Sequence, residues 1–182
     1  KQYGSAGEDE IKELIGQIKS RGIFSMALNI RGSDFYNTDI EGIGICTDGE
    51  YAVYIPPDHS LIEMLREVFE DGDIKKLCHN AKDVFVSLYK HGISLRGLEF
   101  DTAIASYLLN PSESTYDIDE LAARYMGESI PSEKEIKSSA KENDGGKAER
   151  NYLCAKSVCI YGLRPVLEDR LKTAGMIDLY RK

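Results

Sequence analysis

The sequence predicts an α/β fold: a mixed sheet of three antiparallel strands followed by parallel ones, flanked by helices. Three observations carry this expectation. Residues 23–55 hold three strand-like segments, the last two joined through Asp48-Gly49, a strong hairpin signal. Short apolar runs then alternate with helical patterns, the order of parallel strands with crossover helices. Beyond Leu98–Phe100 the chain carries helical patterns and one loop but no further strand.

Each element has its own reason. Glu8–Arg21 places Ile11, Leu14, Ile15 and Ile18 on one stripe at helical spacing, and Gly22 ends it. Glu8-Asp9-Glu10 suits the positive end of the helix dipole. From Ile23 to Ile30 the pattern has period two, with Phe24, Met26, Leu28 and Ile30 on one side. Ile40–Cys46 and Tyr51–Ile55 are the next strands, and Pro56-Pro57 stops the third. Ser60-Leu61-Ile62-Glu63 has capping-box form and opens a helix to Glu70. Ile74–Cys78 and Leu98–Phe100 are short strands on either side of a helix from Ala81 to His91. Thr102–Leu109, stopped before Pro111, and Asp117–Met126, ended by Gly127, are helices. Residues 128–147 are poor in apolar side chains and contain Asn143-Asp144-Gly145-Gly146, which predicts a flexible loop. Ala148–Ala174 is helical, and Pro165 inside it predicts two helices or a kink. Residues 1–7 are expected to be a tail.

Composition narrows the function. At 182 residues the chain is about one domain long. With 31 acidic and 23 basic residues, its formal net charge of −8 argues against gripping nucleic acid by bulk electrostatics. No apolar run approaches a membrane span, so no membrane partner is expected. Cys46, Cys78, Cys154 and Cys159 form no C-x-x-C pair, and His59, His79 and His91 lack zinc-finger spacing. Buried free thiols in a reducing cytoplasm are the expectation, and Lys75-Lys76 reads as surface charge.

The middle of the chain carries the most specific pattern. Cys78-His79-Asn80-Ala81-Lys82-Asp83 precedes Gly92-Ile93-Ser94-Leu95-Arg96-Gly97-Leu98-Glu99-Phe100-Asp101-Thr102. Ser106-Tyr107-Leu108-Leu109-Asn110-Pro111 and Asp119-Glu120-Leu121-Ala122 follow. In this order and at these spacings, the segments resemble the 3′–5′ exonuclease domain of bacterial DNA polymerase I, a family A polymerase. The resemblance implies a ribonuclease H-like fold (DnaQ-like exonuclease). It also implies chemistry in which two divalent ions about 4 Å apart, held by carboxylates, clamp the attacking water and the leaving 3′ oxygen. The closing Met176–Lys182 segment resembles the lead into a polymerase domain, so an excised piece of a longer chain is expected.

The family's acids lie in an Asp-x-Glu on the first strand, an Asp four residues after the Asn, and a Tyr-x-x-x-Asp on the last helix. Carried over by resemblance, these fall on Ala27, Asn29, Val84 and Lys156, none of which is an acid. Asn80, Asp101 and Tyr152 are retained. Asp83 adjoins Val84, but one helical step turns a side chain by about 100°. Asp101 also reads as a cap for the helix beginning at Thr102.

A domain whose exonuclease site is lost is therefore the expectation, with no catalytic residue, metal or cofactor of its own. Mg²⁺ is expected only in a polymerase domain elsewhere in the parent chain. That domain is the expected partner, and DNA is expected to be reached through it. The resemblance places the chain in the bacterial cytoplasm, at the nucleoid, in replication and repair. Three alternatives stay open: an active 3′–5′ exonuclease with an unusual metal site from Asp83, Glu99 and Asp101, a ribonuclease D-like RNA-trimming enzyme, and a protein-interaction module.

Overall fold

The computed structural model describes residues 5–32, 38–139 and 146–182. Five strands form one sheet: β1 (Ile23–Arg31), β2 (Asp39–Cys46), β3 (Ala52–Ile55), β4 (Lys75–Cys78) and β5 (Leu98–Asp101), in the order β3-β2-β1-β4-β5. β1–β2 and β2–β3 pair antiparallel, while β1–β4 and β4–β5 pair parallel. The mixed sheet matches the expectation from sequence. β1 sits at the centre, where the antiparallel half meets the parallel half.

Alternation along β1 sorts two apolar layers. Phe24 and Met26 join Ile43 and Ile45 of β2 beneath α1 (Glu8–Arg21), α2 (His59–Met64), α3 (Arg66–Phe69) and α4 (Ala81–Lys90). Ala27 faces the other side, with Leu77 and Phe100, beneath α5 (Thr102–Leu109), α6 (Ile118–Met126) and α8 (Lys147–Thr173). Among the described residues, no helix is long and apolar enough to cross a membrane. All four cysteines are free and buried.

Several local expectations are corrected. The helix expected from Ser60 is two short pieces, and its cap is Asp58, which accepts from the Ser60 and Leu61 amides at 2.8 and 3.3 Å. The stretch expected to be a loop contains a helix, α7 (Glu133–Ser139). A reciprocal cap starts it: the Ser132 amide donates to Glu135 Oε2 at 2.7 Å, and the Glu135 amide donates to Ser132 Oγ at 3.3 Å. The residues following α7 up to 145 lie outside those described. Pro165 neither splits nor ends α8. It lies on the exposed face, while Leu163, Leu167 and Leu171 stay buried along the opposite stripe and outweigh one lost backbone bond. The described end of the tail is tied down, since the Ala6 amide donates to the Tyr54 carbonyl at 2.8 Å. The closing segment forms α9 (Ile177–Tyr180) and folds back on β5, where the Asp101 amide donates to the Tyr180 hydroxyl at 2.6 Å.

Lys76 is buried, not surface charge. Its ammonium donates to the Asp71 carbonyl and, at 2.8 Å, to that of Ile74. The same turn approaches Gly97, where φ is +71° and a Cβ would lie 2.4 Å from the Ile74 oxygen. Burial pushes the Lys76 pKa from its usual 10.5 down to about 8. Between those values the unfolded chain holds more protons, so this group makes stability rise with pH. Wild type should therefore gain about 2 kcal/mol more than Lys76→Met between about pH 7.5 and about pH 9.5. Urea unfolding of both at the two pH values checks this, and parallel curves would contradict it.

Candidate functional site

A cavity of about 220 Å³ opens at the C-terminal end of β1, beside the turn that leaves β4. This is where an open α/β sheet places ligands, because the chain departs to opposite sides there. Leu28, Asn29 and Ile30 form its floor. Asn80 and Asp83 enter from the start of α4, Glu133 and Ile136 from α7, and Glu149, Tyr152 and Lys156 from α8.

Local rules place each group. Helical spacing aligns Glu149, Tyr152 and Lys156 on one stripe of α8. Asn80 caps α4 with φ +57°, a left-handed conformation that Asn tolerates better than most side chains. The Lys156 ammonium lies 6.0 Å from the centre of the Tyr152 ring. Burial lowers the Lys156 pKa, against the pull of Glu133, Asp117, Asp119 and Asp83. Tyr152 is pushed up by burial, and then by Glu133, Asp119 and Asp117. His79 is driven down to about 3 by burial first and by the Lys156 charge second. It is neutral at physiological pH, and its Nδ1 lies 2.9 Å from Thr102 Oγ1.

The positions singled out from sequence divide three ways. Asn29, Asn80, Tyr152 and Lys156 line the cavity. Ala27 is 3% exposed within the layer beneath α8, and Val84 is 4% exposed within the opposite layer. Of the neighbours Asp83 and Val84, it is Asp83 that reaches the cavity. Asp101 lies elsewhere. Its carboxylate accepts from the amides of Asn80 (3.2 Å), Ala81 (2.7 Å), Ala103 (2.9 Å) and Ile104 (3.4 Å), capping α5 and fixing the entry to α4. Glu99 is directed away to Lys75 and Arg164, at 3.4 and 3.5 Å, beside a different cavity of about 520 Å³. The alternative site of Asp83, Glu99 and Asp101 is thus split between two places. Glu133, Ile136 and Glu149 line the cavity without having been singled out. Ser132-x-x-Glu135 is the signal that marks the helix carrying the first two.

The lining does not suit a pair of divalent ions. The family's chemistry needs converging carboxylates, and a lysine stands among those present. Among the described residues, no group of three or more His, Cys, Asp or Glu side chains is placed to hold a metal ion.

Residues 26–160 match the family of DNA polymerase I, ribonuclease H-like domains. The chain belongs to this family. It is 28% identical over 155 residues to DNA polymerase I of Bacillus subtilis, covering 83% of this chain and 17% of that protein. Against DNA polymerase I of Geobacillus stearothermophilus it is 24% identical over 152 residues, covering 81% of this chain and again 17% of the relative. The chain thus spans about a sixth of these relatives. Among solved structures, it superposes on the POL domain of M. smegmatis Pol1, in complex with DNA primer-template and dNTP, with a TM-score of 0.78. That match has 21% identity and covers 97% of this chain and 29% of the other. On Escherichia coli RNase D, an exoribonuclease involved in structured RNA processing, the TM-score is 0.76 at 15% identity, over 100% and 49% of the two chains. These likenesses establish a ribonuclease H-like fold, as the family's motifs implied.

Two predictions follow from the placement of the acids and their substitutes. Asp101→Ala strands four amides and should cost about 3 kcal/mol in chemical denaturation, with Asp101→Asn losing less. A loss under about 0.5 kcal/mol would contradict the shared cap. Val84→Asp puts a carboxylate into an apolar layer and should cost roughly 3 kcal/mol or more, whereas Asn29→Glu, in the cavity, should cost under about 1 kcal/mol. Equal losses at the two positions would contradict their different placement.

Proposed function

We propose that this chain is a catalytically silent exonuclease-like domain, a structural support for the DNA-directed DNA polymerase of a longer parent chain. The observation that carries the reading is Lys156, an ammonium seated where the family's chemistry needs a metal-binding acid. Positive charge repels a divalent ion, and burial weakens the solvent screening of that repulsion. The other substituted positions agree, since Ala27 and Val84 are packed in apolar layers and Asn29 offers a neutral amide. In this reading the domain holds no metal, and Mg²⁺ works in the polymerase part. The polymerase domain is its partner, and DNA is held through that domain, in bacterial replication or repair in the cytoplasm.

A second reading, an active exonuclease of RNase D type, draws on the structural likeness to that enzyme and on Asp83, Glu133 and Glu149 in the cavity. Lys156 weighs against it.

The discriminating measurement incubates the purified chain with 5′-labelled single-stranded DNA and RNA in Mg²⁺ or Mn²⁺. No shortening above an enzyme-free control is the expected result. Metal-dependent loss of 3′ nucleotides from DNA would overturn the proposal, and trimming of RNA alone would support the RNase D reading.

A further inference from the structure

Parallel pairing of β4 with β5 sets two turns side by side, the one that enters α4 and the one that enters α5. Asn80, at the start of α4, makes no side-chain cap. The cap comes from the other turn, since the Asp101 carboxylate accepts from the Asn80 and Ala81 amides at 3.2 and 2.7 Å. Asn80 has φ +57°, the one positive value at a non-glycine residue among those described. Such a conformation persists where the surroundings hold it. Asn80 also lines the 220 Å³ cavity, as does Asp83, whose amide donates to the Asn80 carbonyl at 3.0 Å. The placement of this wall therefore depends on Asp101. Asp101 in turn is held by α9. Its amide donates to the Tyr180 hydroxyl at 2.6 Å, and that hydroxyl donates to its carbonyl at 3.4 Å. Burial pushes the Tyr180 pKa up to about 12, so the hydroxyl keeps its proton. The Tyr180 ring sits 4.8 Å from that of Phe100, and Arg181 reaches Glu168 of α8 at 3.5 Å.

We infer that Tyr180 is a positioning residue for the cavity: it ties α9 to the backbone of Asp101, and through the Asp101 carboxylate it sets the left-handed turn that presents Asn80 and Asp83. β5 is the outer strand of the sheet, where backbone groups lack a neighbouring strand. At Asp101 the Tyr180 hydroxyl meets both of them. Removing it leaves the Asp101 backbone free to shift, and the carboxylate shifts with it. The Asn80 and Ala81 amides then lose the acceptor that holds the strained turn in place. α9 thus acts as an arm: displacement of the chain at Tyr180 reaches the cavity wall through two consecutive sets of hydrogen bonds. The tie is independent of whether the cavity is silent, because it concerns where the wall stands rather than what it catalyses.

The test is amide hydrogen exchange, residue by residue, by NMR on the nitrogen-15-labelled chain. Wild type is compared with Tyr180→Phe, which keeps the ring on Phe100 and removes only the hydroxyl. Tyr107→Phe, at a tyrosine 53% exposed on α5, is the control. In Tyr180→Phe, exchange should quicken about tenfold at Asp101 and about threefold at Asn80, Ala81 and Asp83. The slow amides of α1, in the opposite layer, should keep their wild-type rates, and Tyr107→Phe should match wild type throughout. A change confined to Asp101, with Asn80 and Ala81 at wild-type rates, would overturn the tie. So would a uniform rise that includes α1, which would mark a general loss of stability, and so would no change anywhere. Nuclease activity in wild type would instead count against the silent site, a separate result.

Discussion

The close approach of α8 to the centre of the sheet governs the rest of the molecule. A Cβ on Gly44 would lie 2.6 Å from the Leu153 carbonyl oxygen, so backbone meets backbone at that point. On the neighbouring strand, Ser25 Oγ donates to the Ser157 carbonyl at 2.6 Å. Ala27 pairs directly with Gly44 across β1 and β2. Small side chains at these positions let the helix settle, and its height and rotation then decide what stands over β1. Tyr152 and Lys156 are carried to the end of the strand, above Asn29. The dimensions of the cavity follow from this contact more than from the cavity's own lining.

The same contact favours small or apolar side chains at positions that the resemblance gives to acids. An aspartate at position 27 would need solvent or metal between strand and helix, whereas alanine lets the layer close. Valine at position 84 joins the opposite layer in the same way. The acids that remain are divided between two duties. Asp101 has its carboxylate fully engaged by four amides and acts as a joint between β5, α4 and α5. Asp83, Glu133 and Glu149 stay at the cavity, which Lys156 also lines. The acidic residues of this chain's motifs thus do different work, separable by the partners of each carboxylate oxygen.

Much of this was legible from residue order. The stripe in α1, the period-two pattern of β1 and the Asp48-Gly49 turn depend on local rules, and the structure follows them. Asp101 as a cap was legible too, because only a helix start lay next to it. Its second use, at the Asn80 and Ala81 amides, was not, since it joins residues far apart in sequence. Lys76 misled because a lysine beside another lysine normally faces water. Its burial depends on a cage of carbonyls from the turn at residues 71–74, which a linear pattern does not display. α7 was hidden because its inner face holds little apolar surface beyond Ile136, although its cap was written in Ser132 and Glu135. The cavity's makeup required knowing that α7 and α8 converge on the end of β1, a tertiary fact.

The hydrogen bond from Ser25 to Ser157 joins residues 132 apart. A chain emerging from the ribosome therefore completes its antiparallel strands and the helices of one layer long before α8 exists. Until then, the face of β1 bearing Ala27 lacks its cover, and so do Leu77 and Phe100. Folding of this half waits for residues 147–173, so until they are made the nascent domain carries an open apolar surface, the kind of surface that chaperones and stray strand edges seek.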